Sequence, residues 1–441
     1  MSAIPGDVDA DRQPPMAVPL RHFVVALAFL LAGGASGVLA AAGALPGRGA
    51  LAHVHLLLAG WVCITIMGAM TQFVPVWSGV ELHSKRLARA QLVLVAGGLA
   101  AFVAALLANA TAWFPAAGFV VLVGFWTFVY NVGRTLAPAR PWDVTERHFA
   151  LALAFFIVVT ALGLLLAAGL ARPSLSFPAG VTQVDLRAAH ATLAVFGAVL
   201  TTVLGALYQL ATMFTQSDLD RWDRPFALVE QVGYPVGVVA FAGGRLLDAP
   251  TLARFGGVLV AAGLAAFAVV LARRLLDARV DWTPMLTRYG VAALATAAWA
   301  PLAARAWLAD PFGPLFGPPA GVHLLFLGVV GMVVLGTLYH VVPFVVWVHR
   351  YSDRLGLEPV PMIDDLYDSR VAAVDALLTV GGGLFLVAGQ WRGVTTLVQA
   401  GGVLATLGFV AFAANLAFVV HAHGPDSLLR VVFGARVAGE K

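Results

Sequence analysis

Apolar runs long enough to cross a hydrocarbon layer repeat along the whole chain, separated by short polar stretches. They fall near 20–44, 51–77, 87–109, 112–135, 147–171, 185–214, 225–244, 251–275, 284–307, 319–349, 370–391 and 394–423. A helix rises about 1.5 Å per residue, so about 20 apolar residues cover a core of roughly 30 Å. In lipid the backbone must be hydrogen-bonded within its own segment, and no alternating ten-residue barrel pattern competes. The pattern therefore predicts an all-α integral membrane protein with twelve transmembrane helices. The first residues, MSAIPGDVDADRQPPM, are acidic and contain proline, with no apolar stretch. They read as a disordered tail and not as a cleaved signal peptide. The expected organisation is a tail over 1–19, a membrane domain over 20–424 and a second tail over 425–441.

Composition agrees with this reading and adds orientation. Of 441 residues, 60% are hydrophobic and only 11% charged, against about 25% charged in soluble domains. Most of the outer surface must face a lipid bilayer, and no separate soluble domain is expected. The net charge of +4 is too small to point to nucleic acid. Of the 27 Lys and Arg, 20 fall on the two tails and on the links after spans 2, 4, 6, 8 and 10, and 7 on the remaining links. The positive-inside rule then puts both termini in the cytoplasm of a multi-pass cell-membrane protein. The single Cys63 excludes an intrachain disulfide and reads as a small buried thiol.

Three segments repeat. HVHLLLAGWVCITIMGAMTQFVP begins at His53, HATLAVFGAVLTTVLGALYQLAT at His190 and GVHLLFLGVVGMVVLGTLYHVVP at Gly321. Each carries two glycines eight residues apart: Gly60 and Gly68, Gly197 and Gly205, Gly328 and Gly336. Small residues of this kind let membrane helices approach closely. The offsets of 137 and 131 residues correspond to four spans each, so spans 2, 6 and 10 are equivalent. Three four-helix pseudo-repeats follow, at about 20–135, 147–275 and 284–423.

His53, His55, His190 and His323 all lie at the outer start of one of these equivalent spans. Neutral imidazole is a metal ligand, and matched positions in three segments point to more than interfacial hydrogen bonding. On a regular helix residues two apart differ by about 200°, so His53 and His55 face nearly opposite ways. Register aligns His55 with His323, and His53 with His190. Ala59, Val62 and Ile66 follow His55 on its face, and Leu327, Val330 and Val334 follow His323, as walls for a flat apolar macrocycle. A haem with two axial histidines needs such walls and cations near its propionates. The expected haem ligands are His55 and His323, with His190 and His53 available to a second metal. Arg392 and Arg187 are the candidate propionate partners.

These residues resemble subunit I of the heme–copper oxidase superfamily, and the segment from Gly321 is similar to the tenth helix of its C-type branch. The likeness covers the bundle, with specific matches in the three segments. It implies a low-spin haem b on the matches of its helix-2 and helix-10 histidines, His55 and His323, and an active-site copper on the match of its helix-6 histidine, His190. Two departures matter. The family position for the high-spin haem ligand is Gly321 here, and RPFALVEQVGYPVGVVAFAGG has none of the copper-binding histidines of helix 7. The oxygen-reducing centre is therefore expected to be incomplete, and copper is doubtful. Membrane proteins of the NnrS type, linked to nitric-oxide stress, are similar in carrying His-x-His at such a helix start.

The expected function is respiratory electron transfer or a nitric-oxide-related redox role, with a cytochrome, cupredoxin or quinol as electron donor. Its rivals are a metal-free transporter or channel on the same bundle, and an atypical terminal oxidase or nitric oxide reductase subunit. Glu230 and Asp375, a turn or two inside the cytoplasmic ends of spans 7 and 11, are proton-path candidates. Arg224 and Arg370 are their expected partners if they serve structure alone. His340 lies 17 residues beyond His323, about 25 Å along a helix, too far to ligate the same haem.

Overall fold

The structure, a computed structural model, describes residues 14–217, 219–424 and Val431. Most of the two expected tails lies outside the described residues. Among the described residues, twelve helices are long and apolar enough to cross a membrane. They are α1 (Ala17–Ala41), α2 (Gly49–Ser78), α3 (Lys85–Leu107), α4 (Thr111–Ala139), α5 (Val144–Ala171), α6 (Gln183–Thr215), α7 (Arg224–Leu246), α8 (Pro250–Leu276), α9 (Pro284–Ala309), α10 (Pro319–Arg350), α11 (Ser369–Arg392) and α12 (Thr395–His423). No β-strand occurs among the described residues. The chain is a multi-pass membrane protein.

Polar residues between the apolar runs start and stop the helices. At α5 the Asp143 carboxylate accepts from the Glu146 N–H (2.9 Å) while Glu146 accepts from the Asp143 N–H (3.0 Å), and Thr182 with Asp185 forms the same reciprocal cap on α6. Each such cap satisfies amides that the first helical turn leaves without partners. The long link over 351–368 is pinned to α10, where the Trp347 indole donates to the Pro361 carbonyl (2.7 Å).

The glycine pairs seat the helix that precedes each repeated segment. A β-carbon would lie 2.5 Å from Phe29 at Gly60, 2.9 Å from Phe155 at Gly197 and 2.9 Å from Ala295 at Gly328. At Gly68, Gly205 and Gly336 it would lie 2.6, 2.5 and 3.1 Å from the β-carbons of His22, His148 and Arg288. α1 thus packs on α2, α5 on α6 and α9 on α10 through the same registers, at distances only glycine permits. α2, α6 and α10 in turn enclose an apolar cavity, to which they contribute Ile66, Val203 and Val334 and, one turn along, Ala69, Ala206 and Thr337.

Regular helical phase breaks just past the histidines. Leu56–Cys63, Leu193–Leu200 and Leu324–Gly331 are π-helical, as is Val229–Gly233 in α7. A π turn holds an extra residue, so side chains beyond it are rotated by up to about 100° from where α-helical counting puts them. Ile66 and Val334, the far ends of the apolar strips expected beneath His55 and His323, line the cavity between α2, α6 and α10.

Candidate functional site

The four histidines that open the repeated segments are half-buried, and each is anchored through Nδ1. That of His53 meets the Gly33 carbonyl of α1 (2.9 Å), that of His190 the Val159 carbonyl of α5 (3.0 Å) and that of His55 the Leu51 carbonyl of its own helix (2.8 Å). The Nδ1 of His323 meets the side-chain oxygen of Gln390 on α11 (3.0 Å). A carbonyl oxygen only accepts, so Nδ1 carries the proton in each neutral ring and the lone pair sits on Nε2. Among the described residues no hydrogen bond reaches the Nε2 of any of the four. An imidazole oriented by its far nitrogen, with the other free, is how histidine is presented to a metal.

Beyond these anchors, His53 and His323 interact electrostatically, as do His190 and His55, and the His55 ring packs edge-on against Phe102 of α3. The ring seats are matched as well: a β-carbon at Gly37 of α1 would lie 2.6 Å from His53 Cε1, and one at Gly163 of α5 would lie 3.1 Å from His190 Cε1. Gly37→Val should push the His53 ring off the Gly33 carbonyl, a change read by the nitrogen chemical shifts of the labelled ring.

On α6 and α10 the registers of His55 and His53 hold Thr192 and Gly321, and side chains of α7 and α9 pack beside them. Arg245 donates to Thr192 Oγ1 (2.8 Å) and to the carbonyls of Pro311 (2.8 Å) and Pro314 (2.9 Å). The Trp299 indole donates to the Phe316 carbonyl (3.0 Å) and stacks on Phe196, and that of Trp307 donates to Pro314 (2.7 Å). Trp299, Trp307 and Arg245 are fully buried. The turn that delivers these carbonyls is held by Asp310, which accepts from the N–H groups of Phe312 (2.9 Å) and Gly313 (3.2 Å). Those two bonds hold its carboxyl below the usual carboxylate range. The turn should therefore keep its full stability above the ordinary aspartate value and lose it as pH falls through the lowered one. Faster amide exchange of Phe312 and Gly313 on acidification, absent in Asp310→Asn, is the expected result.

Arg187 and Arg392, the expected propionate partners, are both exposed. Gln390, two residues before Arg392, was not singled out in the sequence although it orients His323. Among the described residues no three of His, Cys, Asp and Glu converge on a common point.

The two carboxylates of the opposite end have partners other than the arginines expected for them. Glu230 accepts from Tyr208 (2.8 Å) and meets His148 Nε2 (2.9 Å). Asp375 is paired with Arg288 and accepts from Tyr339. The signal that was missed is the spacing of His22, His148 and Arg288, at 126 and 140 residues, which places them against the second glycine of each pair. No protein-family model matches the chain, and no curated protein matches it.

Proposed function

We propose that this chain is a haem b protein of the oxidase subunit I type, moving electrons near the outer face of the cell membrane in respiration or in nitric-oxide-related redox chemistry. His55 and His323 are the haem ligands expected from the sequence; the electrostatic interactions favour His53 with His323 and His55 with His190 as the residues that would hold two haems. The observation that carries the reading is the set of four imidazoles with Nδ1 anchored and Nε2 unoccupied by any hydrogen bond. The matched glycine contacts support the three four-helix repeats, and the distribution of Lys and Arg supports cytoplasmic termini.

The donor set separates haem from a bare metal. Each pair offers two imidazoles, and no third His, Cys, Asp or Glu joins them among the described residues. Copper or zinc on two imidazoles alone would be short of ligands, whereas a porphyrin brings four nitrogens of its own. When bound, haem supplies one-electron transfer. The protein's part is to hold each imidazole neutral and fixed and to keep water from the helix junctions. The side chains packed beside Thr192 and Gly321 support an electron carrier over a terminal oxidase. A cytochrome, cupredoxin or quinol is the fitting donor.

The pyridine haemochrome of purified protein tests this. Two haems b per chain are expected, with a reduced spectrum unchanged by carbon monoxide. Haem-free protein after haem-replete expression would reject the reading and favour the metal-free transporter.

A further inference from the structure

At the end of the bundle away from the ligand histidines, three polar stations occupy matched positions. The first joins His22 of α1, Thr71 of α2 and Gln91 of α3, where the Gln91 amide donates to Thr71 (3.3 Å) and lies 3.4 Å from His22 Nε2. The second joins His148 of α5, Tyr208 of α6 and Glu230 of α7. The third joins Arg288 of α9, Tyr339 of α10 and Asp375 of α11. All are buried. The first station holds no acid. In the third, a guanidinium that stays charged neutralises the aspartate permanently. Only the second places an imidazole against a carboxylate, two groups that both exchange protons under ordinary conditions.

We propose that His148 and Glu230 form a proton-exchange site that takes up and releases one proton at this end of the membrane. The geometry already requires that proton. His148 Nδ1 is used by the Val144 carbonyl (2.7 Å), so a neutral His148 presents a lone pair at Nε2. A contact of 2.9 Å between that nitrogen and Glu230 Oε1 holds only with a proton between them, while the Tyr208 hydroxyl donates to the other oxygen, Oε2. With one proton the couple is neutral overall. When that proton leaves to a water at the membrane surface, the couple carries one buried negative charge and a lone pair faces a carboxylate. A further proton, taken from the medium onto the carboxylate, leaves one positive charge.

No fixed charge within the station cancels either change. The charged and titratable neighbours are Arg147 on α5, exposed and one residue from His148, and Tyr208 on α6. On α7 there is Tyr234, whose hydroxyl donates to the Phe196 carbonyl. On α8 Arg274 is bound to Asp223 and Asp277.

A second observation marks this station. Glu230 lies within the π turn Val229–Gly233, whereas its counterparts Gln91 and Asp375 lie in regular α-helix. Leu228, Val229 and Val232 beside it are exposed on the outside of the bundle. In an unbroken α-helix the residue would be swung by up to about 100° from its present position relative to the preceding turns. π turns are frequent at functional sites.

Infrared difference spectroscopy between acidic and alkaline protein tests the proposal, paired with proton counting by an indicator dye. Subtracting the acid-minus-alkaline spectrum of Glu230→Gln from that of wild type should leave one carboxyl C=O band that shifts in deuterium oxide, with proton uptake lower by about one per chain in Glu230→Gln and this band kept in Asp375→Asn. Glu230→Gln creates the His–Gln combination that the fold already holds at His22 and Gln91, so a folded variant is expected. Tyr208→Phe should shift the band without removing it. Absence of that band from the subtraction, with both proteins folded, would overturn the assignment.

Discussion

Replacing His53 or His323 with alanine should reduce haem from two to one per chain, and replacing His55 or His190 should do the same at the other site. A double variant taking one residue from each pair should contain none. The expectation follows from the proposed pairing: a haem that two imidazoles would hold loses one of its two bonds to the protein when either is removed. The informative contrast is His53→Ala with His323→Ala against His53→Ala with His55→Ala. The first double variant should retain one haem because both changes strike the same site, and the second should lose both. Equal loss in the two would overturn the pairing. Carbon monoxide adds a second readout. It should bind in any single variant that keeps a five-coordinate haem, and leave the wild-type spectrum unchanged.

The second large effect is on stability. Arg288 and Asp375 are both essentially inaccessible, and the carboxylate also accepts from Tyr339, whose hydroxyl accepts from Asn415 (3.1 Å). Arg288 further donates to the carbonyls of Pro284 (2.9 Å) and Ala372 (2.9 Å), tying α9 to α11. Arg288→Met leaves a buried charge without its partner and should cost about 3–5 kcal/mol, as broken buried pairs do. Adding Asp375→Leu should recover most of that loss, because replacing both members avoids the desolvation penalty that each charge pays alone. Thermal unfolding in detergent micelles reads both. If the double variant is as unstable as the sum of the singles, Arg288 acts through its carbonyl bonds and not through the ion pair.

The twelve helices were legible because a lipid-facing surface leaves one solution for the backbone, and runs of 20 or more apolar residues announce it. The glycine pairs were legible for a similar reason, since close helix contact demands the smallest residue at a fixed spacing. Their partners were harder to see, because His22, His148 and Arg288 share a position and a neighbour but not a chemistry. The π segments left no residue signature: Leu56–Cys63, Leu193–Leu200 and Leu324–Gly331 read like any apolar helix. The packing beside Thr192 and Gly321 was half legible. Gly321 showed that no histidine stands at that register, but the distant Arg245, Trp299 and Trp307 that pack nearby belong to other helices and a turn.

His53 and His55 are separated by Val54 alone, on a helix whose two faces serve different neighbours. Whatever fixes the rotation of α2 for one of them fixes it for the other, so the conformational entropy of orienting that helix is spent only once. The proposed sites should therefore fill together, with half-loaded chains scarcer than independent binding would give. Titrating haem-free protein with haem should then give two-haem and empty chains in excess over half-loaded ones.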